Sequence, residues 1–304
     1  AIDAKGDVNH DLVSAAKVRR FMDRLVGFRA SKFSRSWSLP AMGRVQTPTL
    51  GFIVDKEIER ENFVPQPYFS VHAEAGGLRW NARFHEKSES GAWMDDKGKF
   101  HANRTNDAKL AESAFEAASS GLTLTRVEPG QYKSNPDPPF TTDTLLMKAG
   151  SEMSWKPGRT MKVAGELYNA GHITYIRTDS TRTNVGARED VQSYIKKIWG
   201  EDHLGKGVVG PDVKGDSANV QDAHEAIRPT HPSSQSIEGL STEQARLYRL
   251  IWARFAASQM SPSQYERLSM SASASGFEKS FTSTASWRVH RGWEAAFEGI
   301  RKEP

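Results

Sequence analysis

The chain has 304 residues, enough for about two domains, and 37% of them are hydrophobic, with 8 Trp, 14 Phe and 7 Tyr, which supplies a folded core. There is no cysteine, so disulfides, thiolate zinc sites and cysteine nucleophiles are excluded together; no run of about 18 apolar residues and no basic-then-apolar leader is present, so a cytoplasmic protein is expected. Net charge is only +4, but it is uneven: between Ser14 and Leu50 stand Lys17, Arg19, Arg20, Arg24, Arg29, Lys32, Arg35 and Arg44 against the single acid Asp23, a pattern read either as a polyanion surface or as a solvated helix face.

In chain order, residues 10–30 read as an amphipathic helix, with Leu12, Ala15, Ala16, Met22, Leu25 and Val26 at helical spacing and Asn9 or Asp11 able to cap it. A second helix is expected over 46–60, on the stripe Leu50, Ile53, Val54 and Ile58. After Pro65 and Pro67 the period becomes two, through Phe69, Val71, Ala73 and Ala75, then Gly76-Gly77, then Leu78, Trp80, Ala82 and Phe84, which predicts a β-hairpin turning at the glycines. A helix over 107–118 and a strand over 122–128 follow. PGQYKSNPDPPF (129–140), with four prolines, reads as a domain boundary or extended connector.

Helices are then expected over 142–154, 159–170, 187–199 and 241–259, the last opened by the Ser241-x-x-Gln244 capping pattern, with a glycine-rich loop over 200–220. Alternation resumes at Tyr265 and closes the chain in a β region. The fold class is therefore α+β and multidomain: helical, then β, then a helical insertion, then a return to β.

Between these elements lies GHITYIRTDSTRTN (171–184), a tyrosine and two arginines among hydroxyl and carboxylate side chains. Gly171 suits a helix terminus, and an extended ITYI after it would turn Tyr175 and Arg177 to one side. A phenol, with a reference pKa of about 10, is a poor nucleophile without cationic help, and Arg177 can give that help. Attack on a phosphodiester would load charge onto oxygens that guanidinium and hydroxyl donors stabilise. The same pattern is open to a structural tyrosine. In QDAHEAIRPT (221–230), His224 and Arg228 would share one helical face stopped by Pro229, a pair suited to phosphate; the other reading is a structural histidine with Arg228 paired to Glu225. HEAIR opens like a zinc-binding helix but has Arg228 in the place of a second histidine, and no metal site is expected.

MGRVQTPTL (42–50), PFTTDTLL (139–146), GHITYIRTDS (171–180), QDAHEAIRPT (221–230) and LYRLIWARFAASQMSP (247–262), in this order, resemble the type IA DNA topoisomerases. The resemblance covers nearly the whole chain, from AAKVRRFMDRLVGF (15–28) to GWEAAFEGI (292–300). It implies the multidomain α+β torus architecture, with a helical domain over 1–62 forming part of a single-strand groove, a β-rich hinge domain over 63–134 plus 265–300, and a mainly helical domain over 135–264 carrying the catalytic tyrosine.

It further implies that Tyr175 is the nucleophile that cuts one DNA strand and holds its 5′ phosphate, and that Arg177 contacts the scissile phosphate. His224, with Arg228 as helper, falls in the phosphate region; Asp179 and Ser180 join the DNA-binding set; Arg44 and Gln46 line the groove. Arg19 and Arg20 match an arginine pair at a base pocket whose aromatic partner is a tyrosine in the family and Phe28 here, which keeps the stacking face and loses the hydroxyl donor. Ala41-Met42 replaces the more usual Ser-Ala before GRVQ.

The family binds Mg²⁺ through a DxDxE cluster in a Toprim domain, and no DxDxE occurs here, so the chain reads as a core cut away or divided from that domain. The partners implied are single-stranded and negatively supercoiled DNA and a separate Toprim-containing segment, at the nucleoid and away from membranes. Weak strand cutting by Tyr175 is expected, with metal-dependent resealing and strand passage lost; the alternative is a catalytically silent single-stranded DNA-binding module.

Overall fold

The computed structural model describes residues 8–39, 42–43, 45–208 and 224–300. The chain divides into two compact units, Ala1–Pro67 and Tyr68–Pro304.

The first unit is built on α1 (His10–Ser36) and α2 (Gln46–Glu61). Asn9 caps α1 by accepting from the amides of Asp11 and Leu12, each at 3.1 Å, which satisfies two of the orphan donors of a helix start. The turn between the helices is held through Ser31, whose hydroxyl donates to the Met42 carbonyl at 3.1 Å. The apolar stripes expected to face a core are largely exposed: Ser34 is the buried residue of α1, and α2 has none.

The second unit begins with the expected hairpin, β1 (His72–Ala75) and β2 (Leu78–Ala82), turned by Gly76 and Gly77 at φ +60° and +73°, which only a residue without Cβ adopts easily. It is shorter than the alternation suggests, because Phe69 bridges Thr105 instead of joining β1. The helix α3 (Ala108–Ser119) follows, and β3 (Thr123–Ser134), β4 (Ser263–Ala274) and β5 (Phe277–His290) complete a fully antiparallel sheet in the order β1-β2-β5-β4-β3. Ala111, Ala114 and Ala117 of α3 share one core with Trp80, Phe84, Met270 and Phe281.

Two expectations at the ends of this sheet are corrected. PGQYKSNPDPPF is not all connector, since β3 runs on to Ser134 with Pro129 in register with Leu268. An edge strand tolerates a residue without an amide proton, and β3 is an edge. The described residues also do not finish in β structure: Gly292–Phe297 is a 3-10 segment that sends Trp293 and Phe297 into the helical core. Tyr265, stacked on Tyr132 at 4.9 Å, anchors this exit by donating to Glu294 at 2.6 Å.

Between β3 and β4 lies the helical body: α4 (Thr142–Met153), α5 (Pro157–Asn169), α6 (Val185–Trp199) and α7 (Thr242–Ser258). α7 opens on the expected Ser241/Gln244 capping box and is buried almost all round, with Leu247, Tyr248, Leu250, Ile251, Trp252 and Phe255 inside. Trp252 donates to the Pro232 carbonyl and Tyr248 to that of Ser234, both at 2.7 Å. Buried Arg254 reaches the proline-rich connector, donating to the Pro138 carbonyl and lying over the Phe140 ring at 4.9 Å. Of the expected 200–220 loop, Glu201–His203 forms a 3-10 turn and Leu204 bridges Met260; positions 209–220 lie outside the described residues.

Candidate active site around Tyr175

The tyrosine segment is placed by backbone hydrogen bonds before any side chain is considered. α5 stops at Asn169, and Gly171 takes φ +77°, so that its amide and that of His172 bond the carbonyls of Tyr168 and Leu167 at 2.9 and 3.0 Å. The chain then runs extended beside residues 226–230. Ile173 bridges Pro229, the Thr174 amide donates to the Arg228 carbonyl at 2.9 Å, and Thr230 donates from its amide to the His172 carbonyl at 3.1 Å.

The Thr174 hydroxyl closes this pairing: it donates to the Ala226 carbonyl at 2.7 Å and accepts from the Arg228 amide at 2.9 Å. On the other side, Thr142 in the first turn of α4 accepts from the Thr178 amide at 2.9 Å and donates to the Ile176 carbonyl at 2.8 Å. Tyr175 is therefore held on both flanks by threonine hydroxyls.

Burial alternates after it. Ile176, Thr178 and Ser180 are buried, whereas Arg177 and Asp179 are exposed. Period-two geometry puts half-buried Tyr175 with Arg177 and Asp179 on the outward side. The Tyr175 ring lies between two others, Tyr168 at 5.4 Å and His224 at 4.9 Å between centroids. His224 is exposed. A phenol and an imidazole are thus in contact at the surface, with a guanidinium two residues along, which is the donor set a phosphoryl group can use.

Two expected DNA contacts have structural partners instead. The segment from His224 to Arg228 is extended and not helical, because it pairs with 173–174 and bridges Phe140 through Ile227. Arg228 is 9% exposed, and its guanidinium donates to Glu225 at 2.7 Å and to the Pro229 carbonyl at 2.9 Å. Glu225 also accepts from the Asn184 amide at 3.2 Å, so the pair ties the start of α6 to the site. Ser180 is buried, its amide donating to the Thr178 hydroxyl and its own hydroxyl accepting from the Arg182 amide.

The remaining expected site residues belong to the first unit. Arg19 and Arg20, with Arg24, Ala16 and Asp23, line a shallow recess on α1. Phe28 is 69% exposed, and Gln46 is exposed at the start of α2. Arg44 lies outside the described residues, as do Gln221, Asp222 and Ala223 of the histidine motif. Sequence reasoning did not single out Tyr168, Thr142 or Thr174 as parts of the site. Thr142 stands inside PFTTDTLL, and Tyr168 lies one turn before the helix-ending glycine, but their contacts arise from tertiary folding, which spacing does not show.

Among the described residues, no group of three or more His, Asp or Glu side chains converges to hold a metal ion. The described carboxylates and imidazoles do not fit an Mg²⁺ site. No described helix is long and apolar enough to cross a membrane.

A family model described as DNA topoisomerase matches residues 7–304. DNA topoisomerase 1 of Escherichia coli (strain K12) is 32% identical over 99% of this chain and 34% of its own length, and that of Vibrio cholerae is 33% identical over 91% of this chain and 31% of its own. A DNA topoisomerase 1 of prokaryotic type from Acanthamoeba polyphaga mimivirus is 36% identical over 87% of this chain and 32% of its own length. The structure of full-length topoisomerase I from Thermotoga maritima superposes with a TM-score of 0.73 at 29% identity, covering all of this chain and 48% of that one. The chain spans about a third of the length of these curated relatives.

Proposed function

Since this chain belongs to the type IA DNA topoisomerase family, we propose that it is the strand-cleaving and single-stranded-DNA-binding core of such an enzyme, with Tyr175 as nucleophile. The observation that carries this reading is the placement of Tyr175: a half-buried phenol fixed by threonine clamps on either side, in ring contact with His224, with Arg177 facing outward beside it.

In the proposed step the Tyr175 oxygen attacks a backbone phosphorus, an O–P bond forms to the 5′ phosphate, and the bond to the 3′ oxygen breaks. The proton lost by the phenol is balanced by one gained at the 3′ hydroxyl. Arg177 and His224 stabilise charge on the phosphoryl oxygens in the transition state. Arg228 and Ser180 serve the site by holding its backbone. One phosphate ester replaces another, so the break can be resealed without a nucleotide.

Arg19, Arg20, Phe28, Arg44 and Gln46 are proposed to hold single-stranded DNA through charge and stacking, with Asp179 next to the cut. In the intact enzyme the outcome would be relaxation of negatively supercoiled DNA in the cytoplasm, at the nucleoid. Mg²⁺ would be held by a Toprim domain and not by this chain's described residues.

The test is a single-stranded oligonucleotide labelled at its 3′ end, incubated with wild type and Tyr175→Phe and run under denaturing conditions. Label migrating with wild type and not with Tyr175→Phe is the expected result. Equal, salt-sensitive binding by both proteins with no adduct would leave a silent single-strand binding module.

A further inference from the structure

Tyr175 meets two rings, those of His224 and Tyr168, and the second has no assigned role. We infer that Tyr168 is a positioning residue for Tyr175, fixing the attacking phenol by ring contact; this rests on the reading of Tyr175 as nucleophile. The Tyr168 ring meets that of Tyr175 at 5.4 Å and an interplanar angle of 66°, the edge-on arrangement that aromatic quadrupoles favour.

Its mounting suits the task. Tyr168 occupies the last turn of α5, whose Val163, Ala164 and Leu167 are locked in the helical core, and its carbonyl receives the Gly171 amide that reverses the chain. The eight residues from 168 to 175 thus fold back so that a ring on a rigid helix braces a ring on an extended segment. Thr174 and Thr142 fix the backbone on either side of Tyr175, but neither restrains the χ1 and χ2 rotations that carry its hydroxyl. Contacts from Tyr168 and His224 do, and His224 is itself an exposed side chain. A nucleophile must hold near-attack geometry, so removing the firmer of two supports should slow chemistry and leave binding alone.

Tyr168 is 41% exposed, so replacing it should be tolerated by the core. The experiment measures, for wild type, Tyr168→Phe, Tyr168→Leu and Tyr175→Phe, the rate of covalent adduct formation at saturating 3′-labelled oligonucleotide, the dissociation constant of the same oligonucleotide, and the melting temperature. Tyr168→Leu should slow adduct formation about three- to tenfold, the scale of one lost aromatic pair, with affinity and melting temperature unchanged. Tyr168→Phe should keep the wild-type rate within about twofold, because the ring and not its hydroxyl is what acts.

Ring resonances of labelled tyrosine, with Tyr175 assigned by its loss in Tyr175→Phe, give a second readout. The Tyr175 signal should shift and broaden in Tyr168→Leu and stay in place in Tyr168→Phe. An unchanged rate in Tyr168→Leu, equal slowing in the Phe and Leu variants, or an unmoved Tyr175 signal would each overturn the assignment. Absence of adduct from wild type would instead sink the nucleophile reading, and the ring signals would still judge whether Tyr168 restrains Tyr175.

Discussion

Two helices of this chain carry its proposed DNA chemistry on opposite kinds of support. α7, 17 residues long, buries eleven of them from Leu247 to Ser258 and closes the core beneath the Tyr175 segment. α1, 27 residues long, carries Arg19, Arg20 and Phe28 and buries Ser34. Its apolar residues Leu12, Val18, Phe21, Leu25 and Phe33 are all more than half exposed. A reacting atom has to be held to a fraction of an ångström, which only a close-packed core can do, whereas phosphate attraction tolerates mobile side chains in water. The two scaffolds should therefore respond very differently to truncation.

The largest difference is expected from Trp252→Ala against Phe21→Ala. Trp252 is fully buried, contacts Tyr194 and Trp199 and donates to the Pro232 carbonyl, so its loss opens a cavity and orphans an acceptor, costing about 3–5 kcal/mol. Phe21 is 66% exposed, and its truncation should stay within about 0.5 kcal/mol. Urea unfolding of the two variants checks this, and comparable losses would erase the contrast.

Alkaline pH probes the same core without truncation. Burial pushes the Tyr248 hydroxyl up to about 12, above the value of about 10 expected when unfolded. A raised folded pKa means its contribution is fully present below pH 10 and is lost as pH rises toward 12, by about 2–3 kcal/mol in all. Tyr265, also raised to about 12 by burial and by its bond to Glu294, adds to the trend to a smaller degree because it is less enclosed. Melting temperature measured from pH 8 to 12 should fall less steeply in Tyr248→Phe than in wild type; parallel curves would show that this hydroxyl does not titrate in the folded core.

Hydrogen-bond clamps give the next contrast. Thr174→Val keeps the shape of the side chain but removes the donor to Ala226 and the acceptor for the Arg228 amide, for about 1–3 kcal/mol and a loss of adduct formation. Thr125 also bonds a carbonyl, that of Ser271 at 3.0 Å, but on the exposed edge strand, where water can replace it. Thr125→Val should change melting temperature little, and a drop equal to that of Thr174→Val would mean the clamp has no special place.

These contrasts also separate what could be read in the residues from what could not. Repeating local signals were legible: the Asn9 cap, the Gly76-Gly77 turn, the Ser241/Gln244 box and the glycine after α5 all appear in the structure. Features that depend on a distant partner were not. β3 continues through Pro129 because the sheet leaves that edge open, and 292–297 abandons strand alternation because Trp293 and Phe297 find the helical core. At the site, the alternation that puts Tyr175 with Arg177 was readable from the extended ITYI, and the structure carries it on to Asp179. The Arg228–Glu225 pair was one of the two readings open in the sequence, but its setting was not legible: a helix is expected there until the pairing of 226–230 with 172–174 buries the guanidinium.

The smallest stability effect and the sharpest electrostatic one are expected from the same substitution, Arg19→Ala with Arg20→Ala. Both side chains are exposed on α1, so removing them should leave melting temperature unchanged. If each neutralises one phosphate of a single strand, the plot of log affinity against log salt should lose about 0.7 of its slope per arginine. Affinity for single-stranded DNA would fall most at low salt and converge with wild type as salt rises. A slope identical to wild type would remove these arginines from the groove and leave the α1 charge as a solvated face, whereas Tyr175 and its clamps would be untouched by that result.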